Sequence, residues 1–93
     1  MKATYTTSLA YYTRNAAGIL VKTVLEHRQG HNAKAMHIAA QWTLNDLLCD
    51  NPSVICVEVY TCLESGNVRS YGQPFERSSN RYREQDRWTH TDF

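Results

Sequence analysis

The chain has 93 residues, with ten Lys and Arg against nine Asp and Glu and a net charge of +1. That length makes one domain, and a chain so short buries only about 60% of the surface its unfolded form exposes, enough for one sheet covered on one face. The near-balance of charge excludes a global field that would drive nonspecific nucleic-acid binding, and it equally excludes a densely acidic DNA mimic.

Residues 2 to 12 alternate, with Ala3, Tyr5, Thr7, Leu9 and Tyr11 on one side and Lys2, Thr4, Thr6, Ser8 and Ala10 on the other. Threonine and tyrosine suit a pleated, half-buried surface, so this is a strand rather than a signal peptide. Asn15 and Gly18 tolerate positive φ and supply a turn. Residues 19 to 26 return as a second strand with Ile19, Val21, Thr23 and Leu25 on one side. The sequence His-Arg-Gln-Gly-His-Asn at 27 to 32 breaks the pattern, and Asn32 is a good helix N-cap.

From Ala33 to about Leu48 the period becomes helical. Ala35, Met36, Ala39, Ala40, Thr43 and Leu47 make the expected core face, with Ile38 and Trp42 at its edge. Lys34, His37, Gln41 and Asn45 fall opposite. Asp50-Asn51-Pro52 stops the helix. Residues 54 to 63 form a strand with Ile55, Val57, Val59 and Leu63 inward and Cys56, Glu58, Tyr60 and Cys62 outward. Glu64-Ser65-Gly66-Asn67 is a hairpin turn, and residues 68 to 75 are the returning strand. The expected fold is therefore α+β: a four-stranded antiparallel sheet in the sequence order ββαββ, with one helix on one face, over residues 1–75.

Residues 76–93 have no aliphatic apolar side chain. They hold four arginines, four acids and the aromatics Tyr82, Trp88 and Phe93. Such a tail cannot build a core of its own; it folds back on the sheet edge, joins a partner, or stays disordered. No span reaches the 18 or so apolar residues a membrane helix needs. Three cysteines cannot all pair, which points to a reducing compartment and hence the cytoplasm.

No catalytic or metal signature emerges, and no cofactor is implied. His27 and His31 are four apart but straddle Gly30, with no third ligand at a recognisable spacing. Cys56 and Cys62 share a strand face about 20 Å apart and cannot bridge. The acids are scattered singly and the glycines never form a phosphate-cradling loop, so an enzyme is not expected. Two regions remain as candidate partner-binding surfaces. One is the outward sheet face, with Lys22, Glu58, Tyr60, Arg69 and Tyr71, beside Leu20, Val24, Cys56 and Cys62. The other is the tail, with Arg81, Tyr82, Arg83, Arg87 and Trp88, a composition enriched at protein interfaces. Its own charges cancel, which favours a protein partner or a second copy of the chain over nucleic acid. A single-stranded nucleic-acid module reading bases with Tyr60, Tyr71, Arg81, Arg83 and Trp88 is the alternative.

The Met-Lys-type first strand, the Ala-rich helix Ala33-Lys-Ala-Met-His-Ile-Ala-Ala-Gln-Trp42 and the closing hairpin of residues 54 to 75 together resemble small anti-CRISPR proteins encoded by phages and mobile elements, several of them inhibitors of type I complexes and similar in length. The resemblance covers about residues 1 to 75 and implies steric inhibition of a CRISPR–Cas effector through one of its protein subunits, without catalysis. The long Arg/aromatic tail departs from the shorter members of that group.

Overall fold

The computed structural model describes residues 3–64, 76–84 and 87–92. Strand β1 (Tyr5–Arg14) turns back into β2 (Leu20–Gly30), helix α1 (Ala33–Asp50) follows, and then come β3 (Cys56–Leu63), β4 (Glu76–Tyr82) and β5 (Trp88–Asp92). All neighbours pair antiparallel in one sheet of order β2-β1-β3-β4-β5. The sheet thus has five strands, not four. The β3–β4 and β4–β5 pairings both come from the Arg/aromatic segment, whose backbone completes the ladder even though it offers no aliphatic side chain. The returning strand expected at 68 to 75, with Arg69 and Tyr71, lies outside the described residues.

The first hairpin forms as its turn residues demand. Among the described residues Gly18 alone takes positive φ, at 81°, a conformation that costs glycine no Cβ clash. The Asn15 side chain accepts from the backbone N–H groups of Ala17 and Ile19. β2 extends to Gly30, so the break expected at 27 to 32 occurs only after it. A register shift opposite Leu9 and Ala10 inserts Leu25 as an extra residue, and a bulge of this kind re-aims the side chains around it. β2 and β3 both run antiparallel to β1 and so parallel to each other, with α1 as the crossover between them.

Asn32 caps α1 by accepting from the Ala35 N–H at 3.0 Å. At the other end Asn51 closes onto the Leu47 carbonyl. The helix buries His37, Ala40, Leu44 and Leu48 against the sheet. This stripe is rotated from the expected one: His37 is fully buried instead of outward, while Ala35 and Ala39 are exposed. The core comprises Leu9, Ala40, Leu44, Leu48, Val54, Val57 and Val59, with Tyr11, Leu47 and Trp88 packed at its margin. The aliphatic stripe of β3 lies inward as expected at Val57 and Val59, while Val54 rather than Ile55 joins the core before the strand begins. No helix among the described residues is long and apolar enough to cross a membrane.

Candidate binding surfaces and the buried histidine

Strand pairing sorts the side chains onto two faces. The helix-covered face carries Thr7, Leu9 and Tyr11 of β1, Val57, Val59 and Thr61 of β3, Arg77, Ser79 and Arg81 of β4, and Trp88 and His90 of β5. The open face carries Lys22, Tyr12, Glu58, Tyr60 and Tyr82.

On the helix face, polar residues from four elements meet at His37. Its Nδ1 lies 2.8 Å from Thr61 Oγ1 and its Nε2 2.9 Å from Ser79 Oγ. Gln41 Nε2 donates to Ser79 Oγ at 2.7 Å, and Thr61 and Thr7 share a hydroxyl–hydroxyl bond of 2.8 Å. A neutral imidazole fits one direction of donation throughout: Gln41 to Ser79, Ser79 to Nε2, Nδ1–H to Thr61, and Thr61 to Thr7. The Ser79–His37 distance is that of a nucleophile and its base. Yet Ser79 is only 1% exposed and His37 0%, so no substrate atom reaches the hydroxyl. The network instead docks α1 on β3 and β4, because every buried polar group here needs a partner. Hydropathy placed His37 outward; the only sequence signal for its true position is that 37, 40, 44 and 48 form a helical stripe once the histidine is admitted to it.

On the open face, Lys22 Nζ pairs with Glu58 Oε2 at 2.8 Å, and Tyr12 OH donates to Glu58 Oε1 at 3.0 Å. Lys22 and Glu58, both expected on this surface, are thus brought together across β1, with Tyr60 on the same face. The hydrogen bond to Glu58 holds the Lys22 ammonium above its usual range, and burial together with Glu58 does the same for the Tyr12 phenol. Burial also raises the Cys56 thiol, and Cys56 in turn raises its hydrogen-bond partner Tyr82.

Strand β2 at the sheet's edge is uncovered, with Leu20 and Val24 flanking Lys22 on the open face and Val21 on the other face. Every residue from Leu20 to His27 is exposed, including Leu20, Val21, Val24 and Leu25, and Ile19 just before the strand is 62% exposed. Next to it, Arg14, Leu20, Ile55, Tyr82, Arg83 and Glu84 line a depression of about 280 Å³.

The tail's candidates part company. Tyr82 is on the open face, Arg87 is exposed beside β5, and Arg81 and Trp88 sit opposite each other on the helix face. Arg83 is committed to the main chain: its Nε donates to Val54 O at 2.8 Å and its Nη2 to Leu48 O and Asn51 O, each at 2.6 Å. Those carbonyls lie at and beyond the C-terminus of α1, where a guanidinium both satisfies them and complements the helix dipole. Of the residues expected to read bases, Tyr60 lies on the opposite face of the sheet from Arg81 and Trp88, and Tyr71 is outside the described residues.

The histidines of the expected loop have local partners. His27 Nδ1 is 2.8 Å from Ser8 Oγ, and His31 Nδ1 donates to the Ala3 carbonyl at 3.0 Å. Among the described residues no group of His, Cys, Asp and Glu is gathered as a metal site, and Cys49, Cys56 and Cys62 are free thiols. No known family model matches the chain, and neither the curated proteins nor the solved structures include one similar to it.

Proposed function

We propose that this protein is a non-enzymatic inhibitor of host defence, of the anti-CRISPR kind, that blocks a CRISPR–Cas effector in the bacterial cytoplasm by binding one of its protein subunits. The observation that carries the reading is the β2 margin, an edge strand exposed from Leu20 to His27 with four large aliphatic side chains at its surface and Ile19 just before it. Edge strands are normally short, charged or covered, because their free backbone groups pair readily with another chain. Here the edge is long, Leu20 and Val24 flank Lys22 of the Lys22–Glu58 pair, and Leu20 also lines the depression with Tyr82. Addition of a partner strand there uses main-chain hydrogen bonds for affinity and the side-chain stripe for specificity.

Affinity capture with the intact chain from a lysate containing a type I effector tests the proposal. An effector subunit is expected to be retained, and a Leu20→Asp/Val24→Asp variant is expected to release it while keeping the parent circular dichroism spectrum. Recovery of no effector subunit, together with undiminished interference in vivo, rejects the reading. A second copy of the chain on the same edge is the competing occupant, and sedimentation equilibrium of the purified protein distinguishes it.

A further inference from the structure

Helix α1 buries one face and leaves a second one apolar. The buried stripe is His37, Ala40, Leu44 and Leu48, turned onto the sheet. On the opposite side Ala35, Ile38, Ala39, Trp42 and Cys49 are all exposed, Trp42 at 66%. Their spacings of three, four and seven residues make them one continuous ridge. An indole so exposed contributes little to the packing of its own helix, and tryptophan is enriched where proteins meet. The alanines beside it let a second helix approach closely.

The charges of α1 name the occupant of that ridge. Acids are favoured near the N-terminus of a helix and cations near its C-terminus, where each answers the macrodipole. In α1 the order is reversed: Lys34 is the second residue, the first turn holds no acid, and the last turn holds no base but ends at Asp50, with Asp46 one turn before. All three charged side chains are exposed. The Arg83 guanidinium reaches main-chain carbonyls near that end and bonds neither acid. Each charge of α1 is therefore placed where its own helix disfavours it. A second α1 laid antiparallel reverses the sign of these interactions. Lys34 then lies by the acids and the negative dipole end of the other copy, and the same holds in return. A parallel copy would set like end against like.

One register satisfies the ridge and the charges together. With a twofold axis level with position 40, Ile38 of each copy is level with Trp42 of the other, and Lys34 is level with the other's Asp46. We propose that this protein forms an antiparallel dimer through the outer face of α1, with Trp42 packed on Ile38 of the second copy and Lys34 paired with its Asp46. The contact is isologous, so every favourable pair occurs twice. A helix of 18 residues is about 27 Å long at 1.5 Å per residue, and one such pair covers less than the roughly 800 Å² per partner of a standard stable complex. The dimer is accordingly reversible, with a Kd on the order of 10 µM. No residue of β2 takes part, and both β2 edges stay available to other partners.

Sedimentation equilibrium of the intact chain from about 1 µM to about 1 mM reads the association directly. A monomer–dimer equilibrium is expected, and Trp42→Ala should weaken it at least about tenfold, because the substitution acts on both sides of the axis. Lys34→Glu separates dimer from fold. It places an acid at the N-terminus of α1, so the urea midpoint of the dilute protein should not fall below the parent's, while dimerisation weakens about fivefold. Adding Asp46→Lys to Lys34→Glu rebuilds the pair in the opposite sense and should recover most of the lost affinity. Leu20→Asp/Val24→Asp is expected to leave this dimer intact. A chain still monomeric at about 1 mM overturns the proposal. So does a dimer that Leu20→Asp/Val24→Asp abolishes and Trp42→Ala leaves untouched, or a doubly reversed variant that associates no better than Lys34→Glu alone.

Discussion

At the scale of single residues, two side chains carry structural work disproportionate to their size. His37 is hydrogen-bonded at both ring nitrogens inside the interface of α1 with β3 and β4. His37→Leu strands the Thr61 and Ser79 hydroxyls, and the expected loss is about 2–4 kcal/mol in urea denaturation. Adding Ser79→Ala to that variant should return part of it, since removing both partners costs less than orphaning one. Arg83 is the second. Its guanidinium answers the carbonyls of Leu48, Asn51 and Val54, and Arg83→Met is expected to cost about 1–3 kcal/mol. The open face sets a pH limit. The Lys22, Tyr12, Cys56 and Tyr82 groups all hold their protons more tightly folded than unfolded. Their contribution is fully present below their ordinary values of 10.5, 10.0, 9.0 and 10.0, and it is lost as pH rises through the higher folded values. Urea midpoints should therefore be level from pH 7 to about 8.5 and fall steadily above that; a midpoint that rises at pH 10.5 contradicts the assignment.

At the scale of elements, the helix and the C-terminal strands show how far the sequence was legible. The alternation of β1 and the aliphatic stripe of β3 were readable because each presents its inward residues at every second position, Thr7, Leu9 and Tyr11 in one and Val57 and Val59 in the other. The N-cap at Asn32 and the stop at Asn51 were readable because capping is local chemistry. The buried face of α1 was not, because the sheet beneath it is partly polar: Thr61 and Ser79 welcome a histidine that hydropathy alone sends to solvent. The same cause hid β4 and β5. A strand whose inward residues are Arg77, Ser79 and Arg81 has no hydrophobic alternation to find. The shared face of Lys22 and Glu58 was legible too, because both lie on alternating strands. What hydropathy alone missed was the rotation of α1 that buries His37, Ala40, Leu44 and Leu48. That rotation is testable within one helix: Leu44→Ala is expected to cost about 2–5 kcal/mol, whereas Ile38→Ala, at an exposed position, should remain within about 1 kcal/mol of the parent.

At the scale of the whole molecule, the fold is closed by long-range pairings. Tyr5 meets Leu63, and Cys56 meets Tyr82. Truncation after residue 75 would remove the strand that supplies Ser79 to the buried network and the segment that supplies Arg83 to the helix terminus. The truncated chain is expected to lose cooperative thermal unfolding altogether; a sharp transition within a few degrees of the parent would show residues 76–93 to be dispensable. Topology also bears on speed. Sheets joined by pairings so distant in sequence fold slowly, on the order of milliseconds to seconds, and stopped-flow refolding is expected to fall in that range.

The position of Arg83 and Ser79 so late in the chain has a consequence for biosynthesis. Synthesis proceeds from the N-terminus, so the first hairpin, the helix and β3 leave the ribosome before the residues that satisfy His37 and the end of α1. Until then the nascent chain carries an uncovered imidazole, three bare carbonyls and the unpaired far edge of β3. Its β2 edge is already complete in that interval, so the surface proposed for a partner exists before the structure that holds it is locked, and an early encounter would be with an unfinished molecule.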